Sequence, residues 1–167
     1  MRNGFGVLAA LDTRLLRLLR TRGHSPRFER AVILYARAGE NGLLWHSIAA
    51  AGALVDPRGA RAYRRATAAV LLTMTVNTGI KALIRRARPA LEELPALTPV
   101  ISGRSYPSAH ASTSFAAAQA LSQVLPAPPL FAAAGAMALS RPYLGVHYPT
   151  DILAGAVLGN ALGKLAS

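Results

Sequence analysis

Residues 105–140 read SYPSAHASTSFAAAQALSQVLPAPPLFAAAGAMALS, a run of 36 residues without a charged side chain. Prolines at 126, 128 and 129 lie near the middle of the run. A proline inside a helix removes a backbone hydrogen bond and clashes with the preceding turn, so the helix breaks there. The run therefore predicts two apolar helices joined by a short connection.

Shorter uncharged runs cover residues 41–55, 66–80 and 152–163. At ~1.5 Å per residue, 15 helical residues span only ~22 Å of a hydrocarbon layer that is ~30 Å thick. Long basic side chains such as Arg65 and Lys81 extend such a run by reaching towards the interface. We predict an all-α, polytopic membrane helical bundle with about five spans, near residues 41–56, 66–86, 108–125, 129–145 and 150–165.

The N-terminal region has a different pattern, in which apolar and basic residues separate onto two faces of a helix over residues 7–20. Leucines share one side and polar residues another: Leu8, Leu11, Leu15, Leu18 and Leu19 against Arg14, Arg17 and Thr21. This pattern predicts an interfacial amphipathic helix on anionic lipid, with an ordinary surface helix as the alternative. A basic linker and a helix near 28–38 follow. We expect one domain over 1–167, with interfacial helices in 1–40 and the bundle in 41–167.

Composition excludes several classes of protein. The chain has 52% hydrophobic residues, too many for a disordered protein, and no cysteine, which excludes a disulfide scaffold. Its 19 Lys+Arg against 7 Asp+Glu give a net charge of +12. That charge would suit a nucleic-acid-binding protein, but the long uncharged helices argue against nucleic acid as the partner.

The last predicted helix carries glycines at a spacing of four, Gly155, Gly159 and Gly163. Such GxxxG steps let two helices approach closely. We favour packing inside one bundle, with the seam of a homodimer as the alternative. A non-catalytic membrane scaffold that uses this face is the competing function.

Chemically distinctive residues recur where the predicted spans end. Lys81 and Arg88 bracket the end of the second span, Ser108 to His110 open the third, and Arg141 lies late in the fourth. His147 and Asp151 lie on either side of the junction between the fourth span and the fifth. In an alternating bundle all these ends meet at one membrane face, so the residues should converge there.

Three cations, two histidines and one carboxylate suit a phosphate ester. Lys81, Arg88 and Arg141 can neutralise a phosphoryl group, and the N–H groups of Ser108, Ala109 and His110 at a helix start favour an anion. His147 is a candidate nucleophile, Asp151 can fix its tautomer, and His110 suits the general acid. This set needs neither a metal nor a cofactor.

These residues form the pattern Lys81-x6-Arg88-Pro89, Pro107-Ser108-Ala109-His110 and Ser140-Arg141-x5-His147-x3-Asp151. The pattern resembles the three-part signature of the type 2 phosphatidic acid phosphatase superfamily, which includes membrane lipid phosphatases. The resemblance implies that His147 becomes a phosphohistidine, that Asp151 orients it, and that His110 later activates water. It also implies that Lys81, Arg88, Ser108 and Arg141 bind phosphate. Ala109 stands where the family usually has glycine, which predicts a tighter pocket.

The resemblance implies a lipid phosphate monoester as the substrate. The short, Arg- and Ala-rich chain is similar to actinobacterial members, which favours a polyprenyl-linked phosphate such as decaprenylphosphoryl-phosphoribose in cell-wall precursor synthesis. Phosphatidic acid, phosphatidylglycerol phosphate and undecaprenyl pyrophosphate are the alternatives. Fourteen Lys+Arg fall on the active-site face of the alternating bundle and five on the other, and an excess of basic residues marks the cytoplasmic side. We therefore expect a cytoplasmic active site in the bacterial cell membrane.

Other residues receive simpler expectations. Arg85 and Arg86 are expected to anchor lipid headgroups, and Trp45 and His46 to lie at the interface. Glu40 and Asn41 are expected to start a helix, with contact to a substrate headgroup as the alternative. Further expectations are that Asn77 packs between helices or lines the site, that His24 lies in a solvated loop, and that Tyr106, Tyr143 and Tyr148 pack in the core or border a lipid entry.

Overall fold

The computed structural model describes residues 2–166, with side chains for residues 7–166. Within them the chain forms helices α1 to α7, which span Arg2–Thr21, Pro26–Ala38, Leu43–Val55, Ala60–Ile84, Ala109–Leu121, Ala127–Tyr143 and Pro149–Ala166. Two 3-10 turns, Glu40–Gly42 and Pro57–Gly59, precede α3 and α4. The all-α prediction is correct for the described residues, and the predicted helices differ from the observed ones mainly at their ends.

The number of membrane spans is not fixed by these helices. One described segment, Pro57–Ile84, is long and apolar enough to cross a membrane by length and composition alone. The central helix α5 has only 13 residues, or ~20 Å at ~1.5 Å per residue. Five spans therefore remain a prediction.

Helix α5 forms the centre of the bundle and packs against α4, α6 and α7. Its residues are small, and most of them are buried. Close approach to α7 depends on the predicted glycines: an added Cβ at Gly155 would lie 2.7 Å from the Ser108 carbonyl oxygen, and one at Gly163 would lie 2.7 Å from that of Ala116. The glycine face thus packs against α5 of the same chain, whereas the homodimer stays an untested prediction.

Helix α1 is amphipathic in an informative way. The predicted leucine face is exposed, with Leu8 55% and Leu15 48% accessible. The opposite face is buried and carries Asp12, Leu16 and Arg20. Arg20 donates hydrogen bonds to the carbonyls of Pro95 and Tyr143, so α1 is fixed to the loop that precedes α5 and to the end of α6. Helix α1 thus has an exposed row of leucines on one side and, on the other, a buried face that holds the helix to the bundle.

The interfacial role predicted for Trp45 is wrong. Trp45 is 1% exposed and belongs to the main hydrophobic core, where its Nε1–H donates to Ser114 Oγ on α5 over 2.9 Å. The sequence does not distinguish a tryptophan at a membrane interface from one in a core. Its single N–H group needs only one acceptor, which either environment can provide. His24 is likewise not simply solvated: it stacks on Tyr143 and hydrogen-bonds Glu29.

Candidate active site

The ends of α4, α5, α6 and α7 meet at one end of the bundle, as the alternating arrangement predicted. The connection from α4 to α5 folds back on itself there, since Ser105 N–H donates to the Arg86 carbonyl and Arg88 N–H to that of Gly103. The start of α5 is joined to α7 by a bond from Ser108 N–H to the Asp151 carbonyl. These backbone contacts bring side chains that are far apart in sequence to one surface.

A cavity of about 190 Å³ opens at this end. Its wall includes most of the residues singled out from the sequence: Lys81, Arg88, Ala109, His110, Arg141 and His147. The turn before α3 and residues 99–102 of the long connection complete the wall. Among residues 7–166, no three His, Asp or Glu side chains are grouped as metal ligands would be.

His147 lies in the α6–α7 connection and is 2% exposed. Its Nε2 is 3.0 Å from Arg88 Nη1 and its Nδ1 is 3.2 Å from Ser105 Oγ. A guanidinium can only donate, so Nε2 must accept and must be the unprotonated ring nitrogen. The lone pair of a neutral His147 therefore lies beside Arg88, one of the three cations predicted to bind phosphate.

Burial lowers the pKa of His147 from 6.5 to about 3. The nearby Asp151 carboxylate opposes this shift, whereas the positive charges of Arg88, Lys81 and Arg141 add to it. Because a nucleophile needs a free lone pair, a histidine that stays neutral at physiological pH suits that role.

Asp151 is fully buried in the first turn of α7. Its Oδ2 is 3.5 Å from His147 Nδ1, farther than a strong hydrogen bond, and accepts from Ser105 Oγ and from Tyr148 N–H instead. Ser105 thus connects the histidine to the carboxylate. Sequence reasoning missed Ser105, and only its position just before the Pro107–His110 block could have pointed to it.

The three cations are held in different ways. Lys81 Nζ donates to the carbonyls of Arg104 and Ser105, and Arg88 donates to those of Ser102 and Val146. Arg141 is 7% exposed, and its Nε has no hydrogen-bond partner among the described residues. A buried donor without a protein partner is costly, and Arg141 Nε is therefore a candidate donor to an anionic ligand.

His110 lies at the start of α5, on the cavity wall. Its Nε2 is 3.1 Å from the Ala36 carbonyl oxygen at the end of α2. A carbonyl only accepts, so Nε2 carries the hydrogen and Nδ1 is the nitrogen that can exchange a proton. The contact with α2 thereby fixes which ring atom is available for acid–base chemistry.

Ser108 is not among the described residues that line the cavity, and its role as a phosphate ligand stays a prediction. It is fully buried behind the cavity wall, its N–H is bonded to Asp151, and its Oγ caps α5 by accepting from Ala111 N–H. Asn77 donates to Ser112 Oγ and to the Pro107 carbonyl, so it packs between helices and supports this turn. Ala109 is the first residue of α5 and has no positive φ, so alanine fits where the family pattern has glycine.

Arg86 is the second residue whose position sequence reasoning missed. Instead of anchoring lipid, its Nη1 donates to Asp151 Oδ1 over 2.8 Å and its Nη2 to Asp12 Oδ2 over 2.7 Å. Its guanidinium carbon also lies 4.1 Å from the centre of the Tyr148 ring. The Arg86 guanidinium therefore lies among the residues of the candidate site, whereas the neighbouring Arg85 side chain is exposed.

Glu40 and Asn41 lie in the turn before α3 and line the cavity, and Asn41 has a φ of +51°. Glycines fix the turn on both sides. An added Cβ at Gly39 would lie 2.9 Å from His110 Cδ2, and Gly42 has a φ of +72°. The turn therefore holds one carboxylate and one amide at the mouth of a cationic cavity. Glu40 is the one acidic residue among those described as lining it.

Two histidines, a buried carboxylate and three cations thus lie together at one end of the helical bundle formed by residues 2–166. The chain belongs to the PAP2 superfamily, whose family model matches residues 62–167. Its sequence is 41% identical over 119 residues to a decaprenylphosphoryl-5-phosphoribose phosphatase of Mycolicibacterium smegmatis. That alignment covers 70% of this chain and 65% of the relative, somewhat less than two thirds of its length.

Two solved structures share the fold. The crystal structure of Aquifex aeolicus LpxE has a TM-score of 0.81 at 25% identity, covering 93% of this chain and 94% of that one. A transmembrane PAP2-type phosphatidylglycerolphosphate phosphatase from Bacillus subtilis has a TM-score of 0.77 at 23% identity, covering 96% and 84%. The fold is that of the membrane-bound PAP2 phosphatases.

Proposed function

We propose that this protein is an integral membrane phosphatase that removes the terminal phosphate from a polyprenyl-linked phosphoribose. One observation carries the proposal: His147, His110 and the three cations line one cavity, and His147 Nε2 is free of a proton. The 41% identity to a decaprenylphosphoryl-5-phosphoribose phosphatase supports this substrate.

The reaction begins when the phosphate binds between Lys81, Arg88 and Arg141. His147 Nε2 attacks phosphorus and the bond from phosphorus to the ribose oxygen breaks, while His110, protonated on both ring nitrogens beside the bound phosphate dianion, donates its Nδ1 proton to that oxygen. Asp151 stabilises the positive charge on the ring through Ser105. Water then attacks the phosphohistidine, His110 takes its proton, and free phosphate and neutral His147 result.

The turn before α3 supports a sugar phosphate over phosphatidic acid. A ribose that carries lipid at carbon 1 and phosphate at carbon 5 leaves hydroxyls at carbons 2 and 3. The Glu40 carboxylate can accept from both hydroxyls, and the Asn41 amide can donate or accept. A carboxylate beside a phosphate site is unfavourable for the phosphate itself, so its placement suits a substrate with hydroxyl donors.

An apolar groove of about 380 Å³ between α2 and α6 suits the lipid chain. Its walls include Val32, Tyr35, Ala136, Leu139 and Ser140, and Ser140 precedes Arg141 in the chain. We assign the first isoprene units to this groove. Exposed leucines on the outer faces of α3, α6 and α7, such as Leu54, Leu139 and Leu153, suit lipid contact around it.

Phosphate release from a lipid panel tests the proposal. Purified protein should release phosphate from a farnesyl-phosphoryl-5-phosphoribose faster than from phosphatidic acid, phosphatidylglycerol phosphate or undecaprenyl pyrophosphate. Glu40→Gln should lower kcat/KM for the phosphoribose by about tenfold or more, the usual cost of a charged hydrogen bond, without lowering it for phosphatidic acid. Glu92→Gln, outside the cavity wall, is the control. Phosphatidic acid as the preferred substrate of the wild type would contradict the assignment.

We also propose that the active site faces the cytoplasm, on the excess of basic residues at its end of the bundle. The chain has no cysteine, so Glu92→Cys introduces a single thiol in the α4–α5 connection. An impermeant maleimide should label it only in broken cells. Arg58→Cys, at the opposite end before α4, should be labelled in intact cells. The reverse pattern would overturn the orientation.

A further inference from the structure

We propose that Arg86 and Asp12 are positioning residues for catalysis, and that helix α1 is thereby part of the catalytic machinery. The inference rests on the proposed function, because its readout is phosphate release. Asp12 lies outside residues 62–167, the part of the chain that the family model matches.

The first step is the charge balance at Asp151. Its carboxylate is fully buried, and a buried charge is stable only when it is paired and hydrogen-bonded. Ser105 and Tyr148 satisfy Oδ2, but neither carries a compensating charge. Arg86 supplies that charge, as the one ion-pair partner of Oδ1 in the described structure.

The second step is that Arg86 holds both members of the pair that acts on His147. Its side chain binds Asp151, while its backbone carbonyl accepts from Ser105 N–H over 2.7 Å. Displacement of Arg86 would therefore shift the carboxylate and the serine together. The orientation of His147 depends on both, so Arg86 acts through them and does not need to touch the substrate.

Asp12 on α1 contacts both Arg86 and the start of α7. Asp12 is 3% exposed and accepts from Arg86 Nη2, from Thr150 Oγ1 and, over 3.0 Å, from Thr150 N–H. Thr150 lies in the first turn of α7, where backbone N–H groups lack partners within the helix. Asp12 thus holds the guanidinium with one oxygen and the start of the Asp151-bearing helix with both.

Substitutions at position 86 give the sharpest test. Arg86→Gln should lower kcat for a farnesyl-phosphoryl-5-phosphoribose by about 10- to 100-fold, as expected for a lost charged hydrogen bond, with KM changed less than about twofold. Arg86→Lys should recover part of the loss. Arg85→Gln removes the same charge one residue away, on an exposed side chain, and should keep wild-type kcat.

A double-mutant cycle tests the part played by Asp12. Asp12→Asn keeps the shape and the acceptor oxygen for Thr150 but removes the charge. It should lower kcat in the wild-type background and change it little in the Arg86→Gln background, because Asp12 acts through Arg86. Thermal midpoints of all variants separate folding from catalysis. If Asp12→Asn does not fold, Arg86→Lys and Arg86→Gln still decide the role of Arg86.

The kinetic results for the Arg86 variants, the Asp12 variant and the wild type each test a different claim. Wild-type kcat in Arg86→Gln, or a loss equal to that in Arg85→Gln, overturns the inference while the proposed phosphatase stands. Additive losses from Asp12→Asn and Arg86→Gln overturn the coupling to α1. A wild-type protein that releases no phosphate from any lipid of the panel overturns the proposed function, and this inference with it.

Discussion

Arg88 Nη1 lies 3.0 Å from His147 Nε2, so the side chain proposed to bind phosphate also fixes the tautomer of the proposed nucleophile. The guanidinium donates, and the ring nitrogen must therefore accept. Arg88 is itself fixed by the carbonyls of Ser102 and Val146. In the proposed mechanism, a phosphate that binds to Arg88 takes over the guanidinium hydrogen and leaves the Nε2 lone pair for attack on phosphorus.

The bridge between His147 and Asp151 predicts a strong effect of a small change. Ser105→Ala should lower kcat by about tenfold or more with KM nearly unchanged, because the hydrogen-bonded path from the ring to the carboxylate is lost. Steady-state kinetics of phosphate release measure both constants. Ser122→Ala, at the far end of α5, should have no effect. An equal loss in both variants would contradict a specific role for Ser105.

The lowered pKa of His147 predicts how stability depends on pH. His147 stays neutral in the folded protein down to about pH 3 but takes up a proton below about pH 6.5 when unfolded. Its contribution to stability is therefore present at pH 7 and falls as the pH drops below 6.5, by about 2 kcal/mol at pH 5. His147→Gln cannot titrate, so between pH 7 and pH 5 its thermal midpoint should fall less than that of the wild type. Parallel midpoints would contradict the lowered pKa.

The α5–α7 contact predicts opposite outcomes for two glycine substitutions. Gly155→Ala places a Cβ 2.7 Å from the Ser108 carbonyl oxygen and should destabilise the fold by about 1–3 kcal/mol. Gly135→Ala on α6 meets no atom within 4 Å and should stabilise the helix by about 0.5–1 kcal/mol. Thermal unfolding in detergent distinguishes the two. A destabilised Gly135→Ala or a neutral Gly155→Ala would contradict this packing.

The groove between α2 and α6 predicts a dependence on chain length. Ala136→Phe fills the groove and should lower kcat/KM about tenfold for a decaprenyl substrate, more than for one with a single isoprene unit. Gly135→Phe, one residue earlier and facing open space, is the matched control. The ratio of kcat/KM for the two substrates measures the effect. A ratio unchanged by Ala136→Phe would place the lipid chain elsewhere.

The sequence predicted the features that repeat along the chain. The uncharged runs and the prolines predicted where the helices lie. The alternating direction of successive helices then correctly predicted that His110, Arg141 and His147 meet at one end of the bundle. Ser105, Arg86 and Asp12 were not predicted as site residues, because their roles come from contacts between distant parts of the chain. Asp12 and Thr150, for example, are 138 residues apart.

Trp45 and Arg86 show a second reason for wrong predictions. Both occur beside apolar helical runs, where tryptophan and arginine often anchor a helix at the membrane interface. The same residues also satisfy a buried acceptor, as Trp45 does for Ser114, or a buried carboxylate, as Arg86 does for Asp151. The local sequence is the same whether such a residue lies at the membrane interface or inside the protein. Only its partner in the folded structure differs.

The most direct test of the account is a rapid-quench experiment with phosphoribosyl lipid labelled in the 5-phosphate. We expect acid-labile, alkali-stable phosphate on His147 that forms at least as fast as free phosphate is released. His147→Ala should give neither label nor turnover while it keeps the wild-type helix content. Turnover in His147→Ala, or label on another residue, would contradict the account.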